Sequence, residues 1–161
     1  MLPKIDPKTF KFTKTEGQHT IAIIPPIAID SYWNEIQAEL EKNPELWNVA
    51  HTIESLREHI LNDWIKVWGI WDKDNKAKMY FFTLVEEYPV VKIMRMVWAS
   101  GSHLQDYIHM ALATLDEYMK FRGCDIGILD GREGWGPILA PFGYSRLQTS
   151  FFKRAPASRM N

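Results

Sequence analysis

The sequence predicts an α/β fold of the α+β kind, a mixed sheet with helices in the order β-α-α-β-β-β-α-β-α-β. Three apolar runs between residues 64 and 100 are joined by short turns, which indicates an antiparallel meander. A long amphipathic segment follows, and after it a short apolar run at residues 124–129. Because a strand, a helix and a strand in succession form a βαβ unit, the strands flanking the long helix should run parallel.

The composition is that of a globular protein without a strong overall charge. The 161 residues are 46% hydrophobic and 24% charged, with 19 basic against 20 acidic residues and a single cysteine. We therefore expect no general attraction to nucleic acid, no internal disulfide and, in the absence of an apolar run of about 20 residues, no membrane span. A structural or catalytic metal is not expected either, and a cytoplasmic location is the default.

The first third of the chain is predicted to hold a terminal arm, one strand and two helices. Residues 1–18 are rich in Lys and contain two prolines, which is typical of an arm that pairs only locally. The run HTIAII at residues 19–24 predicts a strand that ends at Pro25 and Pro26. Asp30 or Ser31 is the expected cap of a helix to Lys42, and Thr52 that of a second helix.

The middle of the chain gives the clearest pattern. Strands are predicted over Trp64–Trp71, Lys78–Glu87 and Val90–Ser100. In the segment after them, Ser102 and Gln105 match a capping box, apolar residues recur every three or four positions, and Gly123 follows a basic last turn. These signals predict one long helix that is buried along a broad face.

A short strand, a short helix and a last strand complete the predicted domain. They are expected over Cys124–Leu129, residues 132–140 and Ser145–Lys153. The domain would then span residues 19–154, with an arm at residues 1–18 before it and a tail at residues 155–161 after it.

The stretch GREGWGPILAPFGY at residues 131–144 carries a family resemblance. A Gly-Arg-x-Gly-Trp turn followed by Phe142-Gly143-Tyr144, together with the element order, resembles the GNAT family of acyl-CoA N-acyltransferases. The closest likeness is to divergent GNAT-like proteins of tailed bacteriophages. The element order matches over residues 19–154, and the motif matches in the last third of the chain.

The resemblance implies where acyl-CoA would bind. In the family, acyl-CoA lies where two parallel strands splay apart, and the start of the long helix holds its pyrophosphate through backbone amides and the helix dipole. The corresponding residues are Ser100, Gly101 and Ser102. Arg132 is a further candidate because a guanidinium pairs well with phosphate. Acetyl-CoA is the implied cofactor, or none if this loop is degenerate.

The last helix departs from the family pattern. With Gly143 fixing the register, the positions that commonly hold Asn, Ala and a general-acid Tyr are occupied by Arg132, Trp135 and Leu139. Leucine has no proton to donate, so either another group acts as the acid or the activity has been lost. Trp135 beside the glycines also allows a tightly packed corner in place of a ligand-binding turn.

Three residues are candidates for the missing catalytic groups. His103 and Tyr107 lie in the first turns of the long helix, and Glu86 could act as a base toward an amine. Each has a structural alternative: an exposed His, a core Tyr and a solvated carboxylate. Arg95, inside a strand, could bind an anion or take part in an ion pair on the sheet surface.

Two functions are consistent with these observations. The first is a GNAT fold with a degenerate acetyl-CoA site that acts as a phage-encoded, virion-associated or assembly scaffold, with a phage or virion protein as its partner. The second is an active acetyl-CoA-dependent N-acyltransferase. The scaffold hypothesis places the protein in the host cytoplasm or in the virion.

Overall fold

A computed structural model describes residues 5–44, 47, 50–102, 104–131, 133–148, 151, 153 and 155–156. Its chain divides into two compact units, residues 1–130 and residues 131–161. The first unit contains a six-stranded sheet in the order β1-β2-β3-β4-β5-β6. These strands are Thr13–Glu16, His19–Ile24, Lys66–Trp71, Ala77–Glu87, Lys92–Ser100 and Ile126–Leu129. Its helices are α1 (Ile29–Lys42), α2 (Ile53–Leu61) and α3 (Leu104–Arg122).

The sheet is antiparallel from β1 to β5, and β6 then pairs with β5 in parallel. The meander and the parallel crossover are therefore confirmed. The turn between β3 and β4 is held by Asp72, whose carboxylate accepts the backbone N–H of Asp74 and of Lys76 at 2.8 and 3.0 Å. Two of the three predicted meander strands begin too early, since β3 starts at Lys66 and not at Trp64, and β5 starts at Lys92 and not at Val90.

The two helices of the first half begin in different ways. Thr52 caps α2 as predicted, and it exchanges two hydrogen bonds with Ser55 in a capping box. The predicted cap of α1 is wrong, because Asp30 and Ser31 already lie inside the helix and Ala28 precedes it. A 3-10 turn over Pro26–Ala28 leads directly into α1, so no side chain has to satisfy its first amides.

The long helix α3 ends where the sequence predicts. Gly123 adopts a left-handed φ of 68°, its N–H binds the Lys120 carbonyl at 3.2 Å, and the Cys124 N–H binds Met119 at 2.8 Å. This pair of bonds is a Schellman motif, which glycine accommodates without a steric penalty. His103, which precedes Leu104, lies outside the described residues, so the capping box of Ser102 and Gln105 stays a prediction.

The core lies on both faces of the sheet. One face packs against α1 and α2 in a cluster that includes Ile36, Leu56 and Phe82. On the other face Trp68 packs edge-on against Tyr118 of α3 at a centroid distance of 5.0 Å. The strands of the meander are therefore covered on both sides, which explains their nearly continuous apolar sequences.

The sixth strand comes from the arm and not from the end of the chain. β1, within the predicted arm, pairs with β2 through four residues, and its side chains are mostly exposed. Among the described residues of the last predicted strand, Ser145–Lys153, none is in a strand. Leu147 and Phe151 are 73% and 93% exposed, so this apolar pattern lacks the burial that a strand in a sheet would give it.

The second unit contains the end of the predicted helical segment. A 3-10 turn at Glu133–Trp135 is followed by α4 (Gly136–Leu139) and by a second 3-10 turn at Ala140–Phe142. Gly143 ends the segment with a left-handed φ of 86°. The predicted short helix is thus present as one α-helical turn between two tighter turns.

Candidate functional site

The parallel pairing between β5 and β6 ends before β5 itself ends. This pairing ends at Met96 and Leu129, and the Asp130 N–H makes one more bond to the Met96 carbonyl at 3.1 Å. The strand itself continues to Ser100. Beyond Met96, β5 therefore extends past the end of its parallel neighbour, which is the start of a notch between the two strands.

A β-bulge occurs at the same point on the other side of β5. Phe82 of β4 pairs with Trp98, and the next residue, Thr83, pairs with Met96. Val97 is thus the extra residue, and it is skipped in the ladder. A bulge leaves backbone groups of the extra residue out of regular pairing and bends the strand, a feature that recurs beside active sites.

The loop that joins β5 to α3 holds the predicted cofactor-binding residues Ser100, Gly101 and Ser102. A Cβ at Gly101 would lie 2.3 Å from the carbonyl oxygen of Lys78, so glycine is required there for the close approach of β4. The Ser100 hydroxyl donates to the Glu39 carboxylate at 2.9 Å. Two of these three residues thus have structural roles, and Ser102 is exposed.

Gly101 and Ser102 border a cavity that we call the helix-start cavity. It measures about 350 Å³. Its polar lining combines two carboxylates with two ammonium groups, contributed by Glu35, Glu39, Lys76 and Lys78. The start of α3 and the two lysines favour an anion here, whereas Glu35 and Glu39 oppose one, and the Lys78 ammonium is already paired with Asp72 at 3.6 Å.

The second cavity lies at the bulge, and we call it the bulge cavity. It measures about 200 Å³ and is lined by residues of β4, of β5 and of the region from α1 to β3: Trp47, Ala50, His51, Leu56, Ile65, Phe82, Leu84, Val97 and Trp98. Its side-chain lining is apolar except for the His51 imidazole and the indole of Trp98, because the Trp47 N–H already donates to the Leu40 carbonyl at 2.8 Å. It therefore combines an apolar chamber with few polar groups, as small-molecule sites commonly do.

The imidazole in the bulge cavity belongs to His51, which the sequence did not single out. Burial, and secondarily the nearby His59, lowers the pKa of His51 below its usual 6.5, so the ring is neutral at pH 7. The two rings meet edge to face at 5.6 Å. A neutral imidazole in an apolar cavity can accept a proton, which is the property of a general base.

Trp98 adds an unusual polar atom to the same cavity. The residue is 4% exposed, and its indole Nε1 has no hydrogen-bond partner within the described part of the chain. Most buried donors in proteins are paired, and leaving one unpaired costs about 1–3 kcal/mol. Because Trp98 also lines the bulge cavity, this donor is a candidate partner for a ligand that binds there.

The two predicted catalytic residues that the structure describes, Glu86 and Tyr107, have separate structural partners. Glu86 accepts hydrogen bonds from Arg95 at 2.8 Å and from Tyr88 at 3.0 Å, and the Arg95 bond is the main reason that its pKa is lowered. Tyr107 pairs with His19 Nε2 at 3.0 Å on β2, three strands from β5 in the sheet. His103 and Arg132 lie outside the described residues.

Arg95 connects Glu86 to the end of β6. Its guanidinium also lies 3.5 Å from the Asp130 carboxylate. The ion pair that the sequence offered as one alternative for Arg95 is therefore present, with two carboxylate partners. In this arrangement Glu86 is a stabilised carboxylate and a weaker base than His51.

The short helix α4 gives the local environment of the family-pattern positions. A Cβ at Gly131 would meet the Trp135 ring at 3.5 Å, so the tryptophan packs over its own turn. Leu139 is the last residue of α4, four positions before Gly143. The packing alternative for Trp135 is therefore supported within the second unit.

The sequence matches no family model and no curated protein, whereas the fold matches solved structures. Among solved structures, the fold matches a GNAT family acetyltransferase of Staphylococcus aureus with a TM-score of 0.61 and 12% identity, over 86% of this chain and 100% of that one. An aminoglycoside acetyltransferase from an uncultured soil metagenomic sample gives a TM-score of 0.66 and 12% identity, over 89% and 99% of the two chains.

A glucosamine-6-phosphate N-acetyltransferase from Arabidopsis thaliana gives a TM-score of 0.59 and 13% identity, over 86% of this chain and 99% of the other. The fold of this protein is therefore the GNAT acetyltransferase fold, and the predicted fold class is confirmed. At this level of identity the likeness concerns the fold alone.

Two further findings limit what the described residues contain. None of their helices is long and apolar enough to cross a bilayer. No group of three or more His, Cys, Asp or Glu side chains among them is arranged to hold a metal ion.

Proposed function

We propose that this protein is an acyl-CoA-dependent N-acyltransferase that modifies an amine at the bulge of β5. The observation that carries the proposal is the coincidence at Met96 and Val97. The pairing of β5 with β6 ends at Met96, and the bulge at Val97 shifts the pairing of β5 with β4 by one residue. The β5 backbone amides beyond this point are the kind of donor that polarises a carbonyl group.

The residues at the start of α3 fit the phosphate end of acyl-CoA in part. α3 begins directly after this loop, and the start of a helix attracts phosphate, while Lys76 and Lys78 line the neighbouring cavity together with Glu35 and Glu39. Against this, the Ser100 hydroxyl is engaged by Glu39, and Asp106 lies in the first turn. We expect binding that depends on backbone amides more than on side chains.

Acyl-CoA, when bound, would supply an activated acyl group as a thioester. The chain would contribute a site for the amine, a group to remove its proton and backbone donors to the carbonyl oxygen. The likeness to solved acetyltransferases concerns the fold alone, so it does not identify the amine that this protein modifies.

The test is a calorimetric titration with acetyl-CoA and with CoA. We expect saturable binding that weakens about tenfold in Ser102→Glu, because the added carboxylate repels phosphate at the helix start. Ser145→Glu is the matched control, since it makes the same change at an exposed serine of the second unit. Absence of binding at millimolar acetyl-CoA would refute the proposal.

A second candidate function is a scaffold, as in a phage virion or its assembly, with a protein partner. The observation that favours it is the pair of departures from an active site: Ser100 engaged by Glu39, and Leu139 where a proton donor is common. The same titration separates the two functions, because a scaffold needs no acetyl-CoA. A scaffold would also have to co-purify with a defined assembly.

A further inference from the structure

We propose that the bulge cavity is the acceptor site, that it takes a small primary amine with an apolar body and one hydrogen-bond acceptor, and that His51 removes the proton of that amine. The inference rests on the proposed acyl transfer and names its substrate class and base. Three observations carry it: the position of the cavity at Val97, the lone imidazole in its lining and the unpaired Trp98 N–H.

The size of the cavity limits the amine. About 200 Å³ is the space of roughly seven waters at about 30 Å³ each. That volume suits a single ring or a short branched chain with one aminomethyl group. Phe82 and Trp98, whose ring centroids are 4.5 Å apart, form an aromatic wall that favours an apolar body over a sugar or a peptide.

The hydrogen bonds of His51 indicate which nitrogen is the base. Ser55 Oγ lies 3.1 Å from the Thr52 carbonyl and 3.4 Å from His51 Nδ1. A hydroxyl has one proton, and its shorter contact directs that proton to Thr52. His51 Nδ1 then carries its own proton and donates to Ser55, which leaves the lone pair on Nε2.

Among the described residues, His59 of α2 is the titratable neighbour whose ring contacts His51 and lowers its pKa, whereas β4 and β5 present Phe82, Leu84, Val97 and Trp98 to the cavity. Burial lowers the pKa of an ammonium as it lowers that of His51. A bound amine is therefore a stronger acid in the cavity than in water, and the His51 ring that receives its proton is a weaker base there.

During acyl transfer the amine nitrogen loses two protons. The ammonium gives one proton to His51 Nε2, and the neutral nitrogen attacks the thioester carbonyl carbon. A C–N bond forms and the C–S bond breaks. The thiolate leaves with the electron pair and takes up the second proton of the nitrogen, so the products are an amide, CoA thiol and protonated His51.

The first experiment measures amine binding without acetyl-CoA, using benzylamine as the probe. Ala50→Phe fills the bulge cavity from an exposed position, and Ala38→Phe is its matched control in the helix-start cavity. We expect Ala50→Phe to abolish binding and Ala38→Phe to leave it unchanged. Equal binding by the wild type and Ala50→Phe, or loss in Ala38→Phe alone, would overturn the assignment of the cavity.

The second experiment tests the Trp98 N–H with the three aminomethylpyridines, which differ from benzylamine by one ring nitrogen. At least one isomer should bind about three- to tenfold more tightly than benzylamine, as expected for one hydrogen bond. Trp98→Phe keeps a ring but removes the N–H, so it should erase this preference. A preference that survives in Trp98→Phe, or no preference in the wild type, would contradict this part.

The third experiment measures kcat/KM against pH with the tightest-binding amine. We expect His51→Gln to lower kcat/KM by about 10²- to 10⁴-fold, with melting temperature unchanged. His59→Gln should move the acid limb to higher pH, because it removes a neighbour that lowers the pKa of His51. An unchanged profile in both variants, with acyl transfer intact, would refute His51 as the base and leave the proposed function standing.

Discussion

The substitution Gly101→Ala tests whether the loop before α3 is shaped by packing. The new Cβ would lie 2.3 Å from the Lys78 carbonyl oxygen and 2.9 Å from the Met79 Cα, both of which are backbone atoms. Backbone in a paired strand cannot rotate away as a long side chain can. Overpacking of this kind costs about 1–3 kcal/mol of the free energy of unfolding. For a chain of this size, 2 kcal/mol corresponds to a fall in melting temperature of about 4–8 °C.

Differential scanning calorimetry of the purified variant measures this fall directly. Gly136→Ala is the matched control, because a Cβ there meets nothing within 4 Å and alanine favours a helix more than glycine does. We expect the control to melt at or slightly above the wild-type temperature. If Gly101→Ala melts together with Gly136→Ala, the packing explanation is refuted, and a role for Gly101 in ligand binding becomes the better account.

Three further predictions concern stability. Thr83→Val should lower the free energy of unfolding in urea by about 1–3 kcal/mol, since it leaves the buried Trp68 Nε1 without its 2.9 Å acceptor; Thr83→Ser should retain most of the stability. Gly123→Ala should cost about 1–2 kcal/mol in the same assay because of its φ of 68°. Glu86 has a lowered pKa in the folded state, chiefly through its hydrogen bond from Arg95. Its contribution is therefore complete above its usual pKa of about 4.5 and is lost as the pH falls through its folded pKa, so Glu86→Gln should flatten the acid-side decline in urea stability.

The long helix and the meander could be predicted from sequence because their signals are local. Gly123, the basic last turn and the apolar spacing all describe α3 without reference to any other element. The last predicted strand was different. Its alternation at Leu147 and Phe151 is the same whether or not a sheet edge is available, and the sequence does not show which edge is already occupied.

The candidate site was harder to predict than the fold. The family resemblance predicts that Ser100 and Gly101 bind phosphate. Their observed contacts are with Glu39 and with the β4 backbone, which are distant in the sequence. His51 and Trp98 have no motif at all. They line one cavity only because the fold packs the loop before α2 against the bulge in β5, and a tertiary contact of this kind cannot be read from a short stretch of sequence.

The parallel ladder of β5 and β6 has a consequence for the order of folding. Strands β2 to β5 form one antiparallel sheet, and tight turns join β3, β4 and β5. In contrast, the contact between Ile93 and Ile126 closes a loop that contains the whole of α3, and the ladder between the two strands has four residue pairs. Loop closure on this scale carries a larger entropy cost than a hairpin. We therefore expect the edge that defines the notch to assemble after strands β2 to β5 have paired.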